Sequence, residues 1–180
     1  MLGLDGVAGI TFNDASAQGT SALSSGRVPS SYMPTGSVVQ VVAYSSGVGS
    51  TFATSSSTPV SSGFSASISP KFSASRILIL VDTQLRCGTS SGGVGLTLYR
   101  GGSAIRYPGY DGSGYLTNYC YSNPGNWNQT SMTFVDSPGT TSSTTYSLYL
   151  SCYNGSTVTM SGGGSGNYYP TTITLMEISS

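Results

Sequence analysis

After residue 36, apolar side chains alternate with small polar ones in a series of short segments along the chain. Alternate residues of a β-strand point to opposite faces of a sheet, so this period of two predicts strands with one buried face. The strongest pattern lies in residues 75–87, where Ile77, Ile79, Val81 and Leu85 share a face. The opposite face of this segment begins apolar and then turns polar, which is typical of a central strand that emerges from a core.

Shorter segments repeat the pattern towards residue 180. The further predicted strands are residues 37–44, 50–54, 63–69, 94–98, 103–107, 132–134, 146–152, 156–161 and 171–179. Glycine pairs and Asn-Gly pairs favour the tight turns of hairpins. Gly101-Gly102 therefore predicts one hairpin, and Asn154-Gly155 predicts that residues 156–161 pair with the strand before them. About eight to ten short strands without a helical period predict an all-β fold, an antiparallel two-sheet β-sandwich of the jelly-roll type.

The first 36 residues show a different pattern. Gly, Ser, Ala and Pro are mixed with single apolar residues, and neither the strand period nor the helix period is sustained. We interpret residues 1–36 as an extended N-terminal arm or linker and residues 37–180 as the β-sandwich domain. An arm that cannot bury its own apolar side chains must bury them on a partner. Its predicted anchors are Leu2, Leu4, Val7, Ile10 and Phe12.

The chain holds six basic and six acidic residues, and its net charge is zero. A nucleic-acid-binding protein needs a basic face that displaces counterions, and a polybasic membrane contact needs the same, so both functions are excluded. The longest aliphatic segment, residues 77–81, is far shorter than a transmembrane helix, and no charged segment leads into an apolar one near residue 1. We therefore expect a protein that is made and kept in the cytoplasm until it is assembled or released.

Candidate catalytic groups are few. The chain contains no histidine, which excludes a Ser-His-Asp or Cys-His arrangement and removes the commonest metal ligand. A carboxylate pair would have to come from Asp82, Asp111, Asp136 and Glu177. We interpret Asp136 as a turn residue and the side chains of Asp82 and Glu177 as pointing outward from strands. The chain is therefore expected to be no enzyme and to have no catalytic, metal-binding or cofactor-binding residues.

The three cysteines form neither a disulfide framework nor a zinc motif, because their number is odd and their spacing is wide. Cys87 and Cys152 fall in phase with the apolar residues of predicted strands. These two are therefore predicted to be buried thiols.

One connection between predicted strands is rich in aromatic side chains. It carries Tyr107, Tyr110, Tyr115, Tyr119, Tyr121 and Trp127, with four asparagines among them. Sugars stack their C–H faces on aromatic rings and bond to amides, so this composition fits a ligand-facing loop that binds a glycan. It also fits a rigid protein–protein patch, and it fits tyrosines that pack on their own sheet.

Several segments resemble virion surface proteins of tailed bacteriophages, those of cyanobacteria included. Residues 9–14 (GITFND) resemble short segments of tail fibres. Four later segments are similar to a virion β-sandwich domain: residues 37–44 (SVVQVVAY), 68–81 (ISPKFSASRILILV), 136–146 (DSPGTTSSTTY) and 173–178 (ITLMEI).

The resemblance implies a surface-exposed, non-enzymatic β-sandwich that is usually a homotrimer. A short N-terminal part in place of a long fibre shaft favours a capsid decoration (cement) protein, which binds the major capsid protein through its arm and stabilises the assembled head. The alternative is a tail-fibre or receptor-binding tip that is held by a tail or baseplate protein and contacts host surface glycan. Either function implies a place on the virion surface after assembly in the host cytoplasm.

Overall fold

The computed structural model describes residues 3–5, 9–11, 17–18, 33–47, 50–88, 93–106, 126–153, 155–162 and 169–180. Within these ranges every regular element is a β-strand, and every strand pair is antiparallel. The strands are β1 (Gly3–Asp5), β2 (Gly9–Thr11), β3 (Ala17–Gln18), β4 (Val38–Ser45), β5 (Ser50–Thr54), β6 (Val60–Ile68), β7 (Arg76–Cys87), β8 (Gly93–Arg100), β9 (Ser103–Arg106), β10 (Asn128–Asp136), β11 (Thr144–Tyr153), β12 (Val158–Gly162) and β13 (Thr172–Ile178).

The larger sheet of the sandwich is built around β7, the longest strand. Leu85 of β7 pairs with Asn128 of β10 and with Met160 of β12, so β10 and β12 lie on opposite edges of β7. β13 pairs with residues 76–82 of β7 on the same edge as β12, which places β13 and β12 end to end. β4 then pairs with β13, and β5 pairs with β12. The sheet thus has β10 at one edge and β4 with β5 at the other.

The second sheet has the order β6-β11-β8-β9. If the end-to-end strands are taken together, the first sheet has the order β4-β13-β7-β10. The chain crosses between the two sheets at most connections, and only the β4–β5 step, the β8–β9 hairpin and the β12–β13 step stay within one sheet. This connectivity of eight strand positions is that of a jelly roll. The predicted all-β sandwich and its jelly-roll topology are confirmed.

The core lies between the two sheets and is lined by the inward side chains of both. Its buried members are Phe64, Ala66, Ile68, Ile77, Ile79, Val81, Leu85, Cys87, Val94, Leu96, Leu98, Tyr146, Leu148, Leu150, Cys152, Val158, Met160, Ile173 and Leu175. Six of the predicted strands contribute to this set, and the other four place partly buried side chains against it, namely Val42, Tyr44, Phe52, Ile105, Met132 and Phe134. Cys87 and Cys152 are buried free thiols, as predicted, and Cys120 lies outside the described residues.

The predicted hairpin after Asn154-Gly155 is wrong. Gly155 has a φ of 67°, as a turn glycine does, but β12 does not pair with β11. Instead β12 crosses to the other sheet and lies between β5 and β7. Val158 and Met160 are both fully buried there, so the crossing places two more apolar side chains in the core than a solvent-facing hairpin would.

The segment predicted as an extended arm contains local strand pairing. β1, β2 and β3 form a small antiparallel sheet of their own, in which Leu4 is opposite Ile10. No described strand of the sandwich pairs with them. Strands of two or three residues are too short to show a sustained period, which is why the sequence pattern did not reveal them.

The chain enters the sandwich beside its last strand. The Gly36 amide donates to the Ser179 carbonyl over 2.8 Å, and the Ser179 amide donates to the Ser37 carbonyl over 2.9 Å. The Ser179 hydroxyl also donates to the Pro34 carbonyl over 2.7 Å. Residues 34–37 are therefore fixed to the C-terminal end of β13.

Candidate functional site

The outer face of the larger sheet carries a groove between β10, β7 and β13. A cavity of about 120 Å³ is lined by Asp82, Thr83, Gln84, Gln129, Tyr169, Pro170 and Thr172. A second cavity of about 240 Å³ shares Asp82, Gln129 and Thr172 with the first and continues along the same three strands. We call the two together the polar groove.

Hydrogen bonding joins two polar side chains of the groove, those of Gln129 and Asp82. Gln129 of β10 is opposite Gln84 of β7 in the register. Its side-chain amide donates to both carboxylate oxygens of Asp82, each over 3.2 Å. Asp82 remains exposed, so its carboxylate oxygens can accept further hydrogen bonds from a ligand.

Aromatic side chains lie on two sides of the Gln84 and Gln129 side-chain amides. Trp127 lies two residues before Gln129, and the Arg86 guanidinium carbon is 5.1 Å from the centre of its ring, a cation–π contact. Tyr169, on the side of β13, is 51% exposed. Aromatic rings, two amides and one carboxylate are a set that can bind a hydroxyl-rich, uncharged or weakly charged molecule.

The predicted site residues are only partly within the described ranges. Trp127 is half-buried and lies beside the polar groove. Tyr107, Tyr110, Tyr115, Tyr119 and Tyr121 lie outside the described residues, so the predicted aromatic loop stays a prediction. Of the predicted arm anchors, Leu4 and Ile10 are on β1 and β2. The other three, Leu2, Val7 and Phe12, lie outside the described residues.

An apolar row crosses the same outer face beyond the groove. The register places Val135 of β10 opposite Leu78 of β7, Leu78 opposite Met176 of β13, and Met176 opposite Val41 of β4. The two ends of this apolar row are open to solvent, since Val135 is 49% exposed and Val41 54%. Sequence patterns missed the row because it joins residues on four strands that are far apart in the chain.

Asp136 is more than the turn residue that the sequence suggested. It is the last residue of β10, is buried, and shares the inner face with Met132 and Phe134. Its carboxylate accepts hydrogen bonds from Arg100 Nη1 at 2.8 and 2.9 Å and from the Tyr146 hydroxyl at 2.7 Å. Burial, the hydrogen bond to Asp136 and the charge of Asp136 raise the pKa of Tyr146 far above its ordinary value.

The prediction that Glu177 points outward is wrong. Glu177 is fully buried and lies on the same face of β13 as Ile173 and Leu175. Its Oε1 accepts hydrogen bonds from the Lys71 amide (2.7 Å) and the Phe72 amide (3.2 Å). Its Oε2 accepts one from the side chain of Gln40 (2.6 Å). The alternation that places Ile173 and Leu175 on the inner face, continued by one more step, predicts that Glu177 also points inward.

The described residues contain no group of three or more His, Cys, Asp or Glu side chains that could hold a metal ion. In the same ranges, no helix is long and apolar enough to span a membrane. Asp82 contacts an amide, and Asp136 and Glu177 each fix backbone or side-chain groups of the fold. The role of each of these carboxylates is therefore explained by its own contacts.

No family model matches the chain, and no curated protein matches it either. Solved structures with a similar fold include the VP2 subviral particle of infectious bursal disease virus, which is 16% identical with a TM-score of 0.44 and covers 78% of this chain. The Gt and Gx strains of the same virus give 16% and 17% identity, each with a TM-score of 0.41. The chain spans about 37% of the length of the first of these proteins.

Proposed function

We propose that this protein is a non-enzymatic structural component of a virus particle, and that it is a decoration (cement) protein on the head of a tailed phage. The observation that carries the proposal is the jelly-roll connectivity of the sandwich, an architecture that virus capsid proteins share with lectins and cupins. Four segments that resemble a phage virion domain fall on its structural elements: β4, the start of β7, the turn after β10, and β13.

In this function the sandwich faces outward and residues 1–36 contact the major capsid protein. The arm's apolar anchors are Leu2, Leu4, Val7, Ile10 and Phe12. Decoration proteins that bind the assembled shell, and not its separated subunits, stabilise the shell by mass action. The proposed assembly is a homotrimer on the virion surface, which suits a threefold position of a capsid.

Deletion of residues 2–12 tests the decoration function. The truncated protein is expected to keep the sandwich, measured by its cooperative thermal unfolding, and to lose binding to undecorated heads in a sedimentation assay. A matched control replaces Val60, an exposed valine on β6, with serine, and this variant should bind as the parent does. Decoration of heads by the truncated chain at the parent's occupancy would overturn the proposal.

A second candidate function is a receptor-binding tip that contacts host surface glycan. The polar groove favours it, because Trp127 and Tyr169 supply stacking faces beside the amides of Gln84 and Gln129. Trp127→Ala should then remove adsorption to host cells and binding on a glycan array. Tyr99→Ala, which changes an aromatic residue on the other sheet, should leave both unchanged. Failure of the purified parent to bind cells or glycans would dismiss this function.

A further inference from the structure

Both edges of the larger sheet are open among the described residues. No described strand pairs with the outer edge of β10 or with the outer edge of β4. Natural sheet edges are commonly protected from pairing by lysine, proline or a bulge. β4 (VVQVVAYS) contains no charged residue and no proline, and in β10 (NQTSMTFVD) the one charge, on Asp136, is held in the buried contact with Arg100. β10 also pairs with β7 over nine consecutive positions without a shift, and the register shift of β4 lies at its start, between Val38 and Gln40, which leaves residues 40–45 in regular pairing with β13.

The two edges match in direction. β7 and β4 run one way in the sheet, and β10 and β13 run the other way, because each neighbouring pair is antiparallel. A copy placed beside the first in the same orientation brings its β4 next to β10 as an antiparallel neighbour. The alternation of strand directions then continues across the boundary between the two copies.

The two edges also match in chemistry. The apolar row ends at Val135 on β10 and at Val41 on β4, so the same placement sets Val135 beside Val41 of the second copy. A twofold pairing of β10 with itself about Met132 would instead set Val135 opposite Gln129. Burial of two half-exposed valines stabilises the first arrangement, whereas the second arrangement places an amide against each valine.

We propose that the β10 edge of one copy pairs with the β4 edge of a second copy, and that this head-to-tail contact repeats until it closes into a ring. A contact between two different surfaces forms a closed ring when its rotation allows closure. The inference rests on the homotrimer of the proposed function and names its interface. The inference does not depend on whether the protein is bound to the head or to the tail of the particle.

Pairwise cross-linking tests the interface directly. In a Cys120→Ser background, chains that carry Val41→Cys are mixed with chains that carry Val135→Cys under mild oxidation. The remaining native thiols, Cys87 and Cys152, are buried. A covalent dimer is expected in the mixture and in neither variant alone. A chain with both substitutions should give covalent species up to the size of the ring, and Val60→Cys mixed with Val135→Cys should give none.

The possible outcomes test the proposed interface and the proposed homotrimer separately. A cross-link in Val135→Cys alone would show that the β10 edges of two copies meet at Val135, and it would overturn the inference. A trimer by light scattering without the mixed cross-link would also overturn it but would leave the homotrimer standing. A parent that is monomeric at all concentrations would overturn both. Val135→Lys should convert the ring to monomer while Val60→Lys leaves it intact, with circular dichroism as the check that each variant is folded.

Discussion

The Tyr146 hydroxyl donates a hydrogen bond to Asp136 over 2.7 Å, and this bond joins the two sheets of the sandwich. Asp136 ends β10 in one sheet and Tyr146 lies on β11 in the other, ten residues further along the chain. Arg100 of β8 adds an ion pair at 2.8 Å to the same carboxylate. The turn between β10 and β11 is therefore closed by a buried acid with two donors from the opposite sheet.

Asp136→Ala should lower the free energy of unfolding by about 2–3 kcal/mol, because the Arg100 guanidinium and the Tyr146 hydroxyl both lose their partner. Tyr146→Phe should lower it by only about 1 kcal/mol, since Asp136 keeps Arg100. Chemical denaturation of the two single variants and the double variant measures this. If the effects of the two substitutions add without any coupling, the network described here is not what stabilises the turn.

Stability should decline in strong base through Tyr146. Its pKa is raised in the folded protein, so the folded chain keeps the phenol proton at pH values where an unfolded tyrosine, with a pKa near 10.0, has lost it. The contribution is complete below about pH 10 and falls by up to about 1.4 kcal/mol per pH unit above it. Tyr146→Phe should reduce this slope in denaturation curves between about pH 9 and pH 11. Equal slopes in parent and variant would contradict the expectation.

Glu177→Ala should lower the free energy of unfolding by about 2–3 kcal/mol, because the Lys71 and Phe72 amides and the Gln40 side chain lose their acceptor. The matched control is Asp82→Ala, which removes an exposed carboxylate from the same sheet. This substitution should change the free energy of unfolding by less than about 0.5 kcal/mol. Thermal melts of both variants make the comparison. Equal losses would mean that burial of Glu177 does not matter.

In the proposed decoration function, binding to the head should depend little on salt. The chain has only six basic and six acidic residues, and Arg100, Asp136 and Glu177 are already engaged within the fold. Screening weakens contacts between exposed charges and leaves apolar contacts intact. The dissociation constant for heads should therefore change by less than about threefold between low and high sodium chloride. A steep loss of binding in salt would show that charged residues carry the contact.

The sequence predicted the strands and their buried faces because a period of two is a local property. It predicted β5 at its observed bounds and the inward residues of β7 and β11. It could not predict which strands pair with each other. β12 pairs with β7 in the sheet opposite β11, and the apolar row is formed only by the register of four strands. Asp136 and Glu177 were misplaced for another reason. Their inward phase was visible, but the groups that donate hydrogen bonds to these buried carboxylates come from residues up to 137 positions away.

The contact between residues 34–37 and Ser179 has a practical consequence for engineering. Because both segments leave the sandwich at one corner, a short linker can join residue 179 to residue 36 in a circularly permuted chain. The Gly101-Gly102 turn between β8 and β9, where both glycines have positive φ, is a solvent-exposed place to open it. A peptide fused at the new ends would be displayed at the β8–β9 turn instead of at the corner beside Ser179. The order of the strands in the two sheets would be unchanged.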